Sequence, residues 1–444
     1  MKRSLIGVAA CSLALVTTSA FSADTFPRLA TYDISSPQDY WTSAHMKQLS
    51  TVQVAVLSYY PNWGRGAGVT MNDTVKKIKA LNPNTKVFLY ERPESQKIPL
   101  ESAYADLYNK ITNESWWLTT SGLGGAHVLS GDGSGLYLVN VTQYARKDSS
   151  GKTWIQWYPT WLQQKYVAPN PAIEGLYTDN VLSKPRSNGD WDLNGSSTSS
   201  SDANTQKIYR QGLAQFADNL RGATGKNVLA NVADWGIPGA TATEYQGKFN
   251  GGLIEHFLGR SYSVESFAGW GEMMKMYRKV MATLAAPRYG ICSTEGSPTD
   301  YQLVRYGLAS CMMDDGYFAF SDISHIYRGV PWFDEYSVKL GSATSGPATS
   351  AWQSGVYRRN FQNGIVLVNP KGNGTRTVTL ETNYVKIRGS QAPSVNNGAT
   401  VRTVTLKERD GIILIKQGVN AQSNVTAQEM QVLNDAVVND AAVN

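Results

Sequence analysis

Six apolar stretches of the sequence end on a carboxylate: Asp33, Glu91, Asp179, Asp234, Glu255 and Asp322 close runs that begin near Leu29, Val87, Leu176, Val228, Leu253 and Phe318. Carboxyl groups used in pairs can cut a glycosidic bond. One donates a proton to the leaving oxygen, and the other attacks carbon or activates water. Asp179 is the best candidate for the second role, because it ends the run Ile173–Thr178 and is followed by Asn180 and a long polar loop. Glu255 is the candidate acid. Leu253, Ile254 and Phe257 give it apolar flanks, and such a setting favours the protonated form that a general acid needs. The competing reading of either residue is an ion pair with a lysine or arginine at the rim of the fold.

The other acids, with Glu295 after a further run, are expected to hold sugar hydroxyls or arginines such as Arg92. Asn180 and Asn231 supply amides for the same purpose. Asp234-Trp235 and Tyr59-Tyr60-Pro61-Asn62-Trp63 set polar groups beside aromatic rings. Tyr60, Trp63 and Trp235 could therefore stack on the apolar face of a pyranose, although core packing accounts for most tryptophans in any chain. Twelve tryptophans leave room for a few exposed platforms.

Other chemistries find little support. The four histidines, His45, His127, His256 and His325, have no ligand-like spacing, so no metal and no cofactor is expected. Asp314-Asp315 and Asp190/Asp192 have the composition of calcium turns, yet acidic turn residues are usually only solvated. No G-x-S-x-G elbow or phosphate loop occurs. The formal net charge is +6, but no lysine/arginine block is dense enough for nucleic acid.

The elements that must position the acids alternate. Strands are expected at 28–33, 52–58, 85–90, 174–179, 227–232, 251–256, 288–293 and 316–321. Helices fall between several of them, over Asn204–Arg221, Val264–Leu284 and from a Ser297-Pro298-Thr299-Asp300 capping box to about Met312. Eight βα repeats predict a (β/α)8 TIM barrel, an α/β fold that carries its chemistry at the carboxyl ends of the strands. A doubly wound nucleotide fold would need a glycine-rich loop after the first strand, and none follows Asp33. The connections at 91–174 and 188–204 are long enough to elaborate the rim.

Residues 1–23 have a basic start, a short apolar core and small residues for cleavage. This is the pattern of a secretory signal peptide, so a secreted or periplasmic bacterial protein is expected. The apolar run continues past Cys11, which argues against a lipid anchor, and no later stretch is long enough for an integral membrane span. The barrel is expected over 24–340, followed after a Gly/Ser-rich linker by a small antiparallel β-domain, sandwich-like, over 351–416. Asn363-Gly364 and Asp410-Gly411 are its strongest turns. The tail 417–444 reads as disordered or weakly helical. Cys292 and Cys311 could form one disulfide or remain buried thiols.

Several segments carry a resemblance. Gly175-Leu176-Tyr177-Thr178-Asp179-Asn180-Val181, Trp332-Phe333-Asp334-Glu335-Tyr336, the run Tyr357 to Pro370, and Asp410-Gly411-Ile412-Ile413-Leu414 resemble bacterial glycoside-hydrolase-like barrels. The chain is most similar to the hypothetical glycosyl hydrolase family 15, over about residues 28 to 416. That resemblance implies a TIM barrel and a carbohydrate substrate. Related α-galactosidase-like and polygalactosaminidase-like barrels imply an Asp nucleophile on strand four and an acid on strand six, which fall on Asp179 and Glu255. The expected function is a secreted glycoside hydrolase acting on a polysaccharide or oligosaccharide. The alternative is a cell-surface barrel that binds glycan without cleaving it.

Overall fold

The computed structural model describes residues 25–59, 70–98, 104–232, 234–235, 243–259 and 263–423. The expected signal peptide and most of the expected tail lie outside them. Eight parallel strands form one sheet in sequence order: β1 Ala30–Asp33, β2 Val54–Leu57, β3 Lys86–Glu91, β4 Gly175–Thr178, β5 Asn227–Asn231, β6 Gly251–Leu258, β7 Tyr289–Gly296 and β8 Tyr317–Asp322. A parallel bridge between Leu29 and Phe318 brings the ends of the sheet together. All eight expected strands are present. Their apolar character follows from burial on both faces, with the barrel interior inside and helices outside.

Alternation along each strand sorts the side chains. One set faces the interior: Ala30, Val54, Val56, Phe88, Tyr177, Leu229, Leu253, Ile291 and Ala319, with Tyr32 and Tyr90 packed on it. The other set, including Ala55, Leu57, Val87, Leu89, Leu176, Val228 and Ile254, joins the larger core under the helices. Gly175 is required where β4 meets its neighbours, since a Cβ there would lie 1.9 Å from the Asn227 carbonyl oxygen.

The helices are α1 Ser43–Leu49, α2 Met71–Leu81, α3 Ala105–Asn113, α4 Trp154–Leu162, α5 Ala203–Thr224, α6 Val264–Thr283 and α7 Tyr301–Cys311. Asp202 caps α5 by accepting from the Thr205 amide, and Gly225 ends that helix in the left-handed region. The cap of α7 is Asp300, which accepts from the Leu303 amide at 3.0 Å, rather than the expected Ser297. Pro298 thus lies before the helix. The long β3–β4 connection holds α3, α4 and an aromatic cluster in which Trp154 stacks on Tyr158 at 4.3 Å. Among the described tryptophans, Trp116, Trp154, Trp191 and Trp235 are fully buried, so Trp235, one of the expected platforms, is core.

The C-terminal strands are β9 Tyr357–Asn360, β10 Gly364–Asn369, β11 Arg376–Lys386, β12 Thr400–Leu406 and β13 Asp410–Lys416. They form one antiparallel sheet in the order β9-β10-β13-β11-β12. The expected sandwich is therefore a single sheet. One face of its central strands carries Ile365, Leu367, Ile412 and Leu414 into a small separate core. The other face carries Val366, Val368, Ile413 and Ile415 into the core shared with the barrel. Gly411 lets β13 approach α7, because a Cβ there would meet Ala309 Cβ at 2.4 Å. Arg305 of α7 grips Asp410 with two 3.0 Å hydrogen bonds. Cys292 and Cys311 are buried free thiols.

Candidate active site

The inward set of side chains, followed toward the carboxyl ends of the strands, reaches the mouth at Tyr32, Tyr90, Asp179, Asn231, Glu255 and Glu295. Asp179 follows the last residue of β4 and Asn231 ends β5. Asn231 Nδ2 donates to Asp179 Oδ1 at 3.1 Å and to Glu255 Oε2 at 2.9 Å. Two such contacts to one nitrogen put these carboxylate oxygens at most 6.0 Å apart. The two N–H bonds of an amide diverge, which brings the estimate to about 5.2 Å.

Asp179 also accepts from the Tyr90 hydroxyl at 2.5 Å, and Arg92 Nε donates to the same hydroxyl at 3.1 Å. Tyr327, from the loop after β8, donates to Glu255 Oε1, and its hydroxyl lies 3.4 Å from Glu295 Oε1. Glu295 in turn lies 2.7 Å from His256 Nδ1. Neither Asp179 nor Glu255 forms an ion pair with lysine or arginine among the described residues. Both are half-buried.

Tyrosine rings make the floor. Tyr32 contacts Tyr327 at 4.8 Å and Tyr177 at 5.2 Å between centroids, and Tyr90 stacks on Tyr177 at 5.8 Å. Burial, then the charge of the neighbouring acids, pushes Tyr177 and Tyr90 well above the ordinary phenol value. They stay neutral and can donate hydrogen bonds. The buried Tyr177 hydroxyl has no hydrogen-bond partner among the described residues.

Backbone irregularities surround the pair. The β6–β7 register runs from Ile254 opposite Cys292 to Leu258 opposite Thr294, a bulge across Glu255, His256 and Phe257. Asn180, His256 and Tyr327 have φ of 58°, 53° and 60°. Bulges re-aim side chains, and non-glycine residues in this region concentrate at functional sites.

Several expected site residues stand elsewhere. Asp33 and Glu91 follow inward-facing tyrosines, so their own side chains point out of the barrel. Asp33 is fully buried against α1, with His45 Nε2 at 2.9 Å. Burial would raise its pKa, but His45 and the hydrogen bonds from Ser35 together outweigh that and hold it below the ordinary carboxylate value. Glu91 accepts from Thr178 Oγ1, and burial pushes it up to about 8. Asp234 anchors the β4 loop by accepting from the Ser183 amide and hydroxyl at 2.8 and 2.6 Å. Trp235 stacks on Tyr245 in the core and donates to the Val181 carbonyl at 2.6 Å. Asn180 is buried, and its side chain accepts from Arg186 at 3.0 Å. Asp322 caps its own turn by accepting from the Ser324 amide at 2.9 Å. Tyr60 and Trp63 lie outside the described residues.

The mouth thus gathers Asp179, Glu255, Asn231, Arg92 and Glu295 from the expected set. It adds Tyr32, Tyr90, Tyr177, Tyr327 and His256, which were not anticipated. The three strand tyrosines were readable from the period of two along β1, β3 and β4. Tyr327 and His256 depend on a loop and a bulge that leave no periodic signal.

A sequence profile described as hypothetical glycosyl hydrolase family 15 matches residues 79–365, well over half of the 444-residue chain. The chain belongs to that family. The description of family 15 groups it with the glycosyl hydrolases. A search of curated proteins found no match. Among solved structures, a GH27 β-L-arabinopyranosidase from Geobacillus stearothermophilus is similar over 89% of this chain and 98% of its own, at 11% identity and a TM-score of 0.50. A cycloalternan-degrading enzyme from Trueperella pyogenes is similar over 88% of this chain and 62% of its own, at 12% identity and a TM-score of 0.48. An uncharacterized Listeria monocytogenes protein solved with glucose covers 88% of this chain, at 11% identity and a TM-score of 0.49. This family 15 chain spans only 41% of the length of the Listeria protein. At such identities the arabinopyranosidase likeness speaks to the barrel fold alone.

Proposed function

We propose that the chain is an exported, retaining glycoside hydrolase, with Asp179 as nucleophile and Glu255 as general acid and base. The observation that carries this reading is the shared amide of Asn231. It holds the two carboxylates at most 6.0 Å apart, below the roughly 6.5–9.5 Å that inversion needs and consistent with the ~5–5.5 Å of retention. In the first step, protonated Glu255 gives its proton to the glycosidic oxygen while an Asp179 oxygen bonds to the anomeric carbon and the leaving sugar departs. In the second, ionised Glu255 takes a proton from water, whose oxygen displaces Asp179 from the same carbon. Asn231 and Tyr90 orient the nucleophile, and Tyr327 orients the acid. The lack of an ion pair from either carboxylate to lysine or arginine among the described residues supports an enzyme over a non-catalytic glycan binder.

The substrate class is a polysaccharide or oligosaccharide. Export rests on the composition of residues 1–23, and amino-terminal sequencing of the mature protein tests it. Catalysis is tested by reducing-end detection on a panel of bacterial and plant polysaccharides, with NMR of the first anomer released. Release of the inverted anomer, or full activity in both Asp179→Asn and Glu255→Gln, would overturn the assignment.

A further inference from the structure

Arg92 differs from the buried arginines of this chain. Arg210, Arg305 and Arg359 each hold a carboxylate, of Glu244, Asp410 and Asp315 respectively. Arg92 is half-buried just past the end of β3 and holds no carboxylate among the described residues. Its Nε is engaged by the Tyr90 hydroxyl at 3.1 Å, and the ring of Tyr90 lies 5.6 Å beneath its guanidinium carbon. Its two terminal nitrogens make no hydrogen bond among the described residues. Since Tyr90 donates onward to Asp179 at 2.5 Å, Arg92 Nε stands at most 5.6 Å from the Asp179 carboxylate. A sugar joined to Asp179 would therefore lie within reach of the free edge of the guanidinium. That edge is on the β3 side of the nucleophile, whereas Glu255 on β6 is on the other.

The two outer donors of a guanidinium fork match the geometry of a bidentate acceptor. Substrate hydroxyls would fill it poorly. An anion with two adjacent oxygens fills it well, and Arg92 would offset the repulsion that Asp179 exerts on a charged sugar. We propose that Arg92 is a specificity determinant for an anionic sugar in the subsite at Asp179, a uronate carboxylate or a sulfate ester. The inference rests on the assignment of Asp179 to the sugar-binding centre.

The test uses the full mature chain and calorimetric titration with D-glucuronate and D-galacturonate, each against its methyl ester, which keeps the shape and removes the charge. Galactose 6-sulfate against galactose distinguishes sulfate from carboxylate. The free acid or the sulfate should bind about ten- to a hundredfold more tightly than its neutral counterpart, as expected for hydrogen bonds to a charged group. Arg92→Gln should erase that preference, bringing the charged sugar and its neutral counterpart to within about threefold of each other. Equal binding of charged and neutral sugars, no binding of any, or a preference that survives Arg92→Gln would overturn the proposal. Cleavage of neutral glycans that is lost in Asp179→Asn would leave the carboxylate-pair reading standing while this one fails.

Discussion

Asp179 and Glu255 stand on strands that are not neighbours, yet one amide nitrogen, Asn231 Nδ2, bonds to both. The strand between them thus sets their separation. If this spacing serves the reaction, Asn231→Ala should lower kcat about a hundredfold, as loss of positioning does, with KM little changed and the melting temperature within a few degrees of the parent. Steady-state kinetics and a thermal melt check it together. An unchanged kcat would show that the pair needs no such spacer.

Removing either carboxyl should cost more. Glu255→Gln should lower kcat about 10²–10⁴-fold, the range for loss of a proton-transferring group, and Asp179→Asn, which removes the nucleophile, by at least as much, while substrate still binds. A substrate with a good leaving group separates the two. It should restore much of the bond-cleavage rate in Glu255→Gln and none in Asp179→Asn, because only the acid's job is made easier. Pre-steady-state release of the leaving group reads the difference.

Tyr327 donates to Glu255 and so fixes the direction in which that carboxyl points. Tyr327→Phe, which keeps the ring against Tyr32, should lower kcat about tenfold with KM little changed, as loss of positioning does. Steady-state kinetics of the variant check it. An unchanged kcat would mean the hydroxyl serves packing only.

Glu91 has a consequence for stability rather than chemistry. Burial pushes it up to about 8 from an ordinary value of 4.5. Between those two pH values the unfolded chain ionises this group while the folded protein keeps it protonated. Its contribution is neutral below pH 4.5, grows more destabilising up to pH 8, and is level above. Glu91→Gln retains an acceptor for Thr178. It should stabilise the protein on the order of 2–3 kcal/mol near neutral pH, and the gain should vanish in acid. Denaturation at two pH values decides; a gain of equal size at both would contradict the burial argument.

The contact between barrel and C-terminal sheet gives a fifth measure. Arg305→Met strands a buried Asp410, which should cost about 3–5 kcal/mol, and adding Asp410→Leu should recover most of that loss. Urea midpoints of the single and double variants test this. A single variant as stable as the parent would mean that the pair contributes nothing to docking the sheet.

Much of this architecture is legible in the sequence, because strands buried on both faces leave short apolar runs that need no context. The acid ring was less legible. A terminal carboxylate looks the same whether it faces the barrel interior or the helices, and only the alternation of Tyr32 with Asp33 and Tyr90 with Glu91 separates the two cases. Asp179 and Glu255 share the inward register of Tyr177 and Leu253, which Asp33 and Glu91 lack. Trp235 could not be told from a sugar platform, since the ring that buries it, Tyr245, comes from a separate segment. Tyr327 is invisible for the same reason: its meeting with Glu255 spans 72 positions of chain.

The bulge in β6 divides labour between the two carboxylates. Asp179 leaves a strand paired on both sides, and its own amide still donates to the Glu91 carbonyl at 3.0 Å. Glu255, His256 and Phe257 occupy a stretch where the neighbouring strand offers no matching register. Amide hydrogen exchange should accordingly be slow at Asp179 and faster across 255–257. A double displacement makes the same demand. The nucleophile returns to one carbon twice and gains from stillness, while the acid serves first a departing oxygen and then an arriving water. Slack in the backbone lies under the group that has two addresses to visit.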